Sequence, residues 1–341
     1  MELRPLGRTG VQVSQLCLGT MMFGEWGTKD HDESIRIIHR ALDAGVNFVD
    51  TADVYSQGES EEIVGKALKG RRDDVVLATK FFMPFDDGPN HRGGSRRWIM
   101  TAVENSLRRL GTDHLDLYQM HRYDPGVELD ETLGALTDLV RAGKVRYIGH
   151  STFPGSALVD AQYIARDRGR ERFVTEQPTY SILTRNIENE ILPLTQKYGM
   201  GVLSYSPLAG GWLSGRYRVG AEQDGPQSVA RQRLANRFDL KLPENQRKLE
   251  AADALAKVAD DAGLSLVELA IAFVLRHPGI TSAIIGPRTM EHLDSQLAAA
   301  DVALTDDVLD RIDEIVAPGV TLNPADNGWV SPSLHPAARR R

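Results

Sequence analysis

Residues 47–68 read NFVDTADVYSQGESEEIVGKAL. An apolar run closes on Asp50, a short polar loop carries Tyr55, and a helical pattern opens at Glu59. Strand, loop and helix in that order form one β-loop-α unit, and the polar residues fall where the strand ends. Two later runs end the same way. Lys80 closes VVLATK and His121 closes LDLYQMH. An acid, a phenol, an amine and an imidazole thus mark the ends of three successive strand-like runs.

Outward from this stretch, strands and helices alternate. Apolar strand-like runs occur at 16–19, 46–50, 74–80, 115–121, 145–151, 172–178, 200–207 and 280–286. Helical spacing occurs at 30–45, 60–70, 95–111, 129–143, 155–169, 186–199, 244–263, 265–277, 289–300 and 305–317. The strands are nearly continuous apolar runs, as buried parallel strands must be, and the helices are amphipathic and cover them. Eight such units close most economically into a (β/α)8 TIM barrel, an α/β fold. The expected organisation is a single domain over 1–341. It has an N-terminal β-hairpin at 1–15, the barrel at 16–300, a C-terminal extra helix at 301–318 and a solvated Pro-rich tail at 319–341 ending in Arg339, Arg340 and Arg341. An open doubly wound sheet is the competing fold, but no G-x-G-x-x-G follows any strand and there is no P-loop.

Composition narrows the function classes. Of 341 residues, 41% are apolar and 26% charged, which suits a globular chain with a large core. The net charge of −7, without a basic block, argues against nucleic acid as a partner. No apolar run approaches a bilayer span, and MELRPLGRTG lacks the apolar region of a signal peptide, so no membrane association is expected. The lone Cys17 lies in an apolar run and reads as a buried small residue. A cytoplasmic protein is expected.

In a barrel of this kind the active site forms at the C-terminal ends of the strands, and adjacent strands lie about 5 Å apart. Asp50, Lys80 and His121 therefore converge, with Tyr55 above them. A carbonyl that accepts hydride becomes an alkoxide and needs a proton. Tyr55 can donate it, with Lys80 lowering the phenol's pKa from its free value of about 10. Asp50 can pair with Lys80 and fix its direction, and His121 can donate a hydrogen bond to the substrate oxygen.

These motifs resemble the aldo-keto reductase superfamily. The likeness runs from LGRTGVQVSQLCLGT to IIGPRTMEHLDSQL. Asp50 and Tyr55 in FVDTADVY, Lys80 in ATK and His121 in DLYQMH match that family's catalytic tetrad in order. GGSRRWI, GKVRYIG and YSPLAGGWLSGRY are similar to the branch of bacterial reductases and potassium-channel β-subunits. The resemblance implies a nicotinamide cofactor, usually NADPH, bound without a Rossmann domain, and a small-molecule carbonyl substrate.

By the same resemblance, Ser151 and Gln177 hold the carboxamide and Tyr205 stacks on the ring. Asp50 and the first-strand residues Gly19, Thr20 and Met21 join the cofactor set. Ser206, Pro207, Leu208, Gly210, Ser214 and Arg216 begin a long seventh loop whose small residues expose N–H groups to a pyrophosphate. Arg231, Arg233 and Arg237 are weaker candidates further along. The strand, turn and helix N-terminus of IIGPRTMEHLDSQL make an anion site, with Gly286 at the turn and Arg288 placed for a 2′-phosphate. No acid stands there to prefer a free 2′-hydroxyl, which favours NADPH over NADH. Thr152 replaces the family's usual Asn, while His292 and Gln296 replace a Gln and an Asn that meet adenine. Tyr55, His121, Trp26, Phe81, Phe82 and Trp212 are the expected substrate pocket.

Three functions compete. The first is an NADPH-dependent carbonyl reductase. The second is a cofactor-binding regulatory subunit like the channel β-subunits, against which His121 argues, since those proteins carry Asn there. The third is a barrel lyase or isomerase, disfavoured because the histidines show no metal-ligand spacing. Substrate identity and oligomeric state are not legible.

Overall fold

The computed structural model describes residues 1–220, 234–330, 334 and 338. Two short strands, β1 (Leu3–Pro5) and β2 (Gln12–Ser14), pair antiparallel as the expected hairpin. Eight parallel strands follow: β3 (Leu16–Gly19), β4 (Phe48–Asp50), β5 (Val76–Phe81), β6 (Leu115–Met120), β7 (Val145–His150), β8 (Phe173–Glu176), β9 (Gly201–Tyr205) and β10 (Ser282–Ile285). They close in chain order, β10 pairing with β3. This is the (β/α)8 barrel.

Helices surround it: α1 (His31–Asp43), α2 (Glu59–Ala67), α3 (Arg96–Leu110), α4 (Leu129–Arg141), α5 (Gly155–Arg168), α6 (Ile191–Tyr198), α7 (Pro243–Asp261), α8 (Leu266–Arg276), α9 (Met290–Ala298) and α10 (Asp306–Ile315). Their ends are written in the sequence. Asp30 caps α1 by accepting the Glu33 N–H, and Ser265 with Glu268 forms a capping box on α8. The sixth helix departs from expectation. A continuous helix over 186–199 would put Pro193 in its middle, where the missing N–H breaks the ladder. Instead a short 3-10 turn at Asn186–Glu188 precedes α6, which begins at Ile191. Pro193 then falls in the first turn, where no N–H is needed.

Side chains alternate along each strand, and two cores result. Cys17, Phe48, Ala78, Leu117, Val174, Leu203 and Ile284 fill the barrel interior together with Leu6 and Val13 of the hairpin. Cys17 is buried there, as expected. A second, larger core lies between strands and helices and includes Val49, Leu77, Tyr118 and Ile148. Two residues beyond the apolar interior layer, the same strand face turns polar. Phe48 is followed by Asp50, Ala78 by Lys80, and Leu117 by Gln119. A packed plug below and polar groups above is how the strands deliver the site to one end.

The hairpin closes the opposite end. Gly7 has φ of +59°, and a Cβ there would stand 2.6 Å from the Gly201 backbone nitrogen, so only glycine lets the hairpin approach β9 this closely. Arg8 N–H donates to the Gly199 carbonyl at 3.0 Å. No helix among the described residues is long and apolar enough to cross a membrane.

Because Leu6 is fully buried in the interior plug, Leu6→Ala is expected to lower stability by about 2–5 kcal/mol through lost burial and a residual cavity. Urea unfolding measures this. A loss below about 1 kcal/mol would show that the hairpin is not part of the core.

Candidate active site

Lys80 has no solvent exposure, and its ammonium is held from two directions. Nζ donates to Asp50 Oδ1 at 2.5 Å and to the Thr51 carbonyl at 2.7 Å. β4 and β5 pair with Asp50 opposite Ala78, so Lys80, two residues further on the same face, reaches back to the carboxylate. The other carboxylate oxygen, Asp50 Oδ2, accepts from Gln177 Nε2 at 2.9 Å and Gln119 Nε2 at 3.1 Å. Side chains from β4, β5 and β6, and Gln177 just after β8, thus meet in one buried network. Burial alone would disfavour the ammonium; Asp50 and then Tyr55 outweigh it and hold Lys80 above its ordinary pKa.

Tyr55 opens a short 3-10 turn five residues after the end of β4. Ser56 and Gln57 follow with φ of 47° and 58°. This left-handed kink turns the chain back toward α2 and leaves the phenol over Lys80, whose Nζ lies 3.3 Å from Tyr55 Oη. The sequence reading expected the ammonium to bring the phenol's pKa down. The net direction is the reverse: burial pushes it above its ordinary value, and Lys80 only opposes that rise.

His121 lies one residue beyond β6, its N–H donating to the Phe81 carbonyl at 2.9 Å. Its ring meets the Tyr55 ring edge-on with centroids 5.9 Å apart. Burial, with Arg122 and Lys80 nearby, holds its pKa well below the usual histidine value, so the imidazole is neutral. Its Nδ1 is buried without a protein partner. Trp26 also stands beside Tyr55, ring centroids 6.0 Å apart. It is fixed by its backbone N–H donating to Ser56 Oγ at 3.1 Å.

The rim carries the remaining candidates. Ser151 Oγ donates to the Gln177 carbonyl at 2.8 Å, and Thr152 Oγ1 lies 3.5 Å from Tyr205 Oη. Thr20 is fully buried, its hydroxyl engaged by the Asp50 carbonyl and Ser60; Met21 is exposed. Six non-glycine residues have positive φ among the described residues: Ser56, Gln57, Phe82, Thr152, Ser206 and Ala209. All lie in loops that follow barrel strands at the site end, which is where strained backbone collects when it positions functional groups.

A second, electropositive corner lies at α9. Arg216, at the exposed edge of the seventh loop, and Arg288 both act on His292, which burial and these two charges keep below its usual pKa. Thr28 Oγ1 donates to the Arg288 carbonyl at 2.7 Å, tying the first loop to this corner. Gln296 is buried with Oε1 accepting from no protein donor among the described residues, and a Cβ at Gly286 would meet nothing within 4 Å. Two guanidinium groups, an open glycine turn and an unsatisfied amide oxygen fit an adenosine group bearing phosphate.

Several expected residues go elsewhere. Phe81 is fully buried against Tyr118 in the barrel–helix layer, because it falls on the opposite strand face from Lys80; Phe82 is the partly exposed neighbour. Trp212 is not a pocket wall either. It is fully buried, stacked on Tyr217 at 4.1 Å, with Nε1 donating to the Arg237 carbonyl. Arg237 turns its guanidinium toward Asp326, 3.7 Å away. Arg231 and Arg233 lie outside the described residues.

The tail, expected to be solvated, packs through its first half. Asp326 accepts from the buried Lys248 at 2.7 Å, and a Cβ at Gly328 would meet Tyr205 Oη at 2.4 Å. Sequence reasoning missed this, and it missed Gln119 and Arg122. Gln119 was findable, since it shares a strand face with Leu117 and His121.

Asp50→Ala would leave the Lys80 ammonium buried without a counter-charge and is expected to cost about 3–5 kcal/mol; Asp50→Asn, which keeps an acceptor, should cost less. Chemical denaturation measures both. Equal, small losses would show that the ammonium needs no carboxylate.

The geometry agrees with what the chain is similar to. The aldo/keto reductase family profile matches residues 15–317. An uncharacterized oxidoreductase of Bacillus subtilis, YrpG, is 43% identical, aligned over 92% of this chain and 96% of its own length. The aldo-keto reductase YhdN of the same organism is 36% identical over 86% of this chain and 87% of its own. A probable voltage-gated potassium channel subunit beta of Oryza sativa is 34% identical over 93% and 97%. With the profile and these nearly full-length likenesses around an Asp-Tyr-Lys-His arrangement on a buried ion pair, the chain belongs to the aldo/keto reductase family.

Proposed function

We propose that this oxidoreductase is an NADPH-dependent reductase of aldehydes or ketones in which Tyr55 is the proton donor. When bound, the nicotinamide supplies the hydride. Ser151 and Gln177 would hold its carboxamide, with Asp50 behind Gln177 and Tyr205 against the ring. Gly19 to Met21, Ser206 to Leu208, Gly210, Ser214 and Arg216 would line the diphosphate. Gly286, Arg288 and His292 would take the 2′-phosphate, and Gln296 the adenine.

The chain's own chemistry follows from the network around Lys80. A carbonyl oxygen held by the neutral His121 and by Tyr55 gains negative charge as the carbon is reduced. Tyr55 Oη gives that oxygen its proton. A phenol held above its ordinary pKa keeps the proton at neutral pH until it is needed. The adjacent Lys80 Nζ then stabilises the phenolate, and Asp50 keeps the ammonium charged and aimed. One observation supports this above the alternatives: a buried, carboxylate-paired amine within 3.3 Å of a half-buried phenol at the barrel mouth.

A second reading, a cofactor-binding regulatory subunit of low turnover, is favoured by the relatives named as channel subunits. Following NADPH absorbance over a panel of aldehydes separates the two. Tyr55→Phe is expected to lower kcat about 10²–10⁴-fold while cofactor affinity is kept. Tight NADPH binding without turnover by the unaltered protein would favour the regulatory subunit. In the reduction direction, kcat should fall only as pH rises past Tyr55's raised pKa, beyond the ordinary phenol range, with no inflection in the ordinary histidine range from His121. Arg288→Ala should weaken NADPH at least about tenfold more than NADH, a difference of about 1.4 kcal/mol; equal losses would remove the 2′-phosphate assignment.

A further inference from the structure

Arg122 has no part in the chemistry above, yet it stands inside the mouth. It follows His121, where the chain leaves β6, and it is partly exposed. Its Nη1 donates to the His121 carbonyl at 2.5 Å and to Ser151 Oγ at 3.2 Å. Ser151 Oγ reaches on to the Gln177 carbonyl. The guanidinium therefore bridges the His121 side of the mouth and the wall built by β7 and β8. Its charge is felt at both the Tyr55 phenol and the His121 imidazole.

Among the described residues this cation pairs with no carboxylate, whereas Lys80 has Asp50. Asp50 and Asp124 are already engaged. Asp50 serves Lys80, Gln119 and Gln177, while Asp124, two residues from Arg122, accepts the backbone N–H groups of Gly94 at 2.9 Å and Gly126 at 3.0 Å. Among the described residues, Arg122 Nη2 and Nε have no protein acceptor, and both of its side-chain hydrogen bonds use Nη1. A partly desolvated guanidinium with an unused pair of donors matches a carboxylate's two oxygens, whereas a neutral substrate leaves it unsatisfied.

We propose that Arg122 makes the site selective for carbonyl substrates that carry a carboxylate. This rests on the carbonyl-reductase reading, so the test has one arm that needs turnover and one that does not. In the first arm, NADP⁺-loaded protein is titrated calorimetrically with benzoate and with its neutral analogue benzamide. Benzoate is expected to bind at least about tenfold tighter, the advantage disappearing in Arg122→Met, returning in part in Arg122→Lys and shrinking with salt.

In the second arm, kcat/KM for a carboxy-substituted benzaldehyde is divided by that for benzaldehyde. The ratio is expected to fall at least about tenfold in Arg122→Met. Using the ratio cancels any general damage to the fold or to cofactor binding through Ser151. Equal binding of benzoate and benzamide, or a preference that Arg122→Met leaves intact, would overturn the proposal. A benzoate preference that depends on Arg122, with no aldehyde reduced at all, would instead overturn the reductase reading and leave the anion recognition standing.

Discussion

The pairing of Lys80 with Asp50 constrains everything around it. An ammonium removed from water is tolerated only beside a counter-charge with its remaining protons satisfied. Asp50 provides the charge, the Thr51 carbonyl takes a second proton, and Tyr55 Oη lies where the third can point. Asp50 in turn needs acceptor sites filled, and Gln119 and Gln177 fill them. The partners come from β4 and its loop, from β5, from β6 and from the segment after β8, so the whole network forms only when the sheet is closed. Once formed, it leaves Tyr55 the most exposed member and so the one that can meet a substrate.

The mouth is electrostatically graded. At the Lys80 end, charge is balanced within the protein and His121 is neutral. At the Arg122 side, among the described residues, positive charge has no carboxylate beside it. Such an arrangement suits a cofactor and a substrate that bring their own negative groups, because fixed protein charges need not reorganise when the ligand arrives. The overall net charge of −7 gives no hint of this local excess.

The loops that carry these groups are held by strain and by a distant clasp. Left-handed Ser56 and Gln57 aim Tyr55, and left-handed Thr152 and Ser206 shape the rim beside Tyr205. The seventh loop is anchored by Trp212 stacked on Tyr217, with Lys248 Nζ 4.7 Å above the indole. Lys248 also grips Asp326, which brings Gly328 against Tyr205. Burial disfavours the Lys248 ammonium and holds its pKa below the ordinary lysine value despite Asp326. A charge buried at such cost fixes one arrangement of loop and tail.

The number and order of strands and helices were readable from the chain, because buried parallel strands demand apolar runs and helix ends carry local caps. The residues Asp50, Lys80 and His121 were readable for the same reason: each interrupts an apolar run at its end. Local spacing could not say that Phe81 packs outward between strands and helices with Phe82 partly buried beside that layer, since that depends on how β5 sits in the closed sheet. Nor could it show Trp212 buried under its own loop, the tail folded against Tyr205, or burial outweighing Lys80 at the Tyr55 phenol. Gln177 meets Asp50 across 127 positions of chain, and only barrel closure sets that distance. The sequence by itself determined the units and the chemical groups at their ends; the tertiary structure decided which groups touch and which titrate away from their usual range, because contact and desolvation depend on neighbours far apart in the chain.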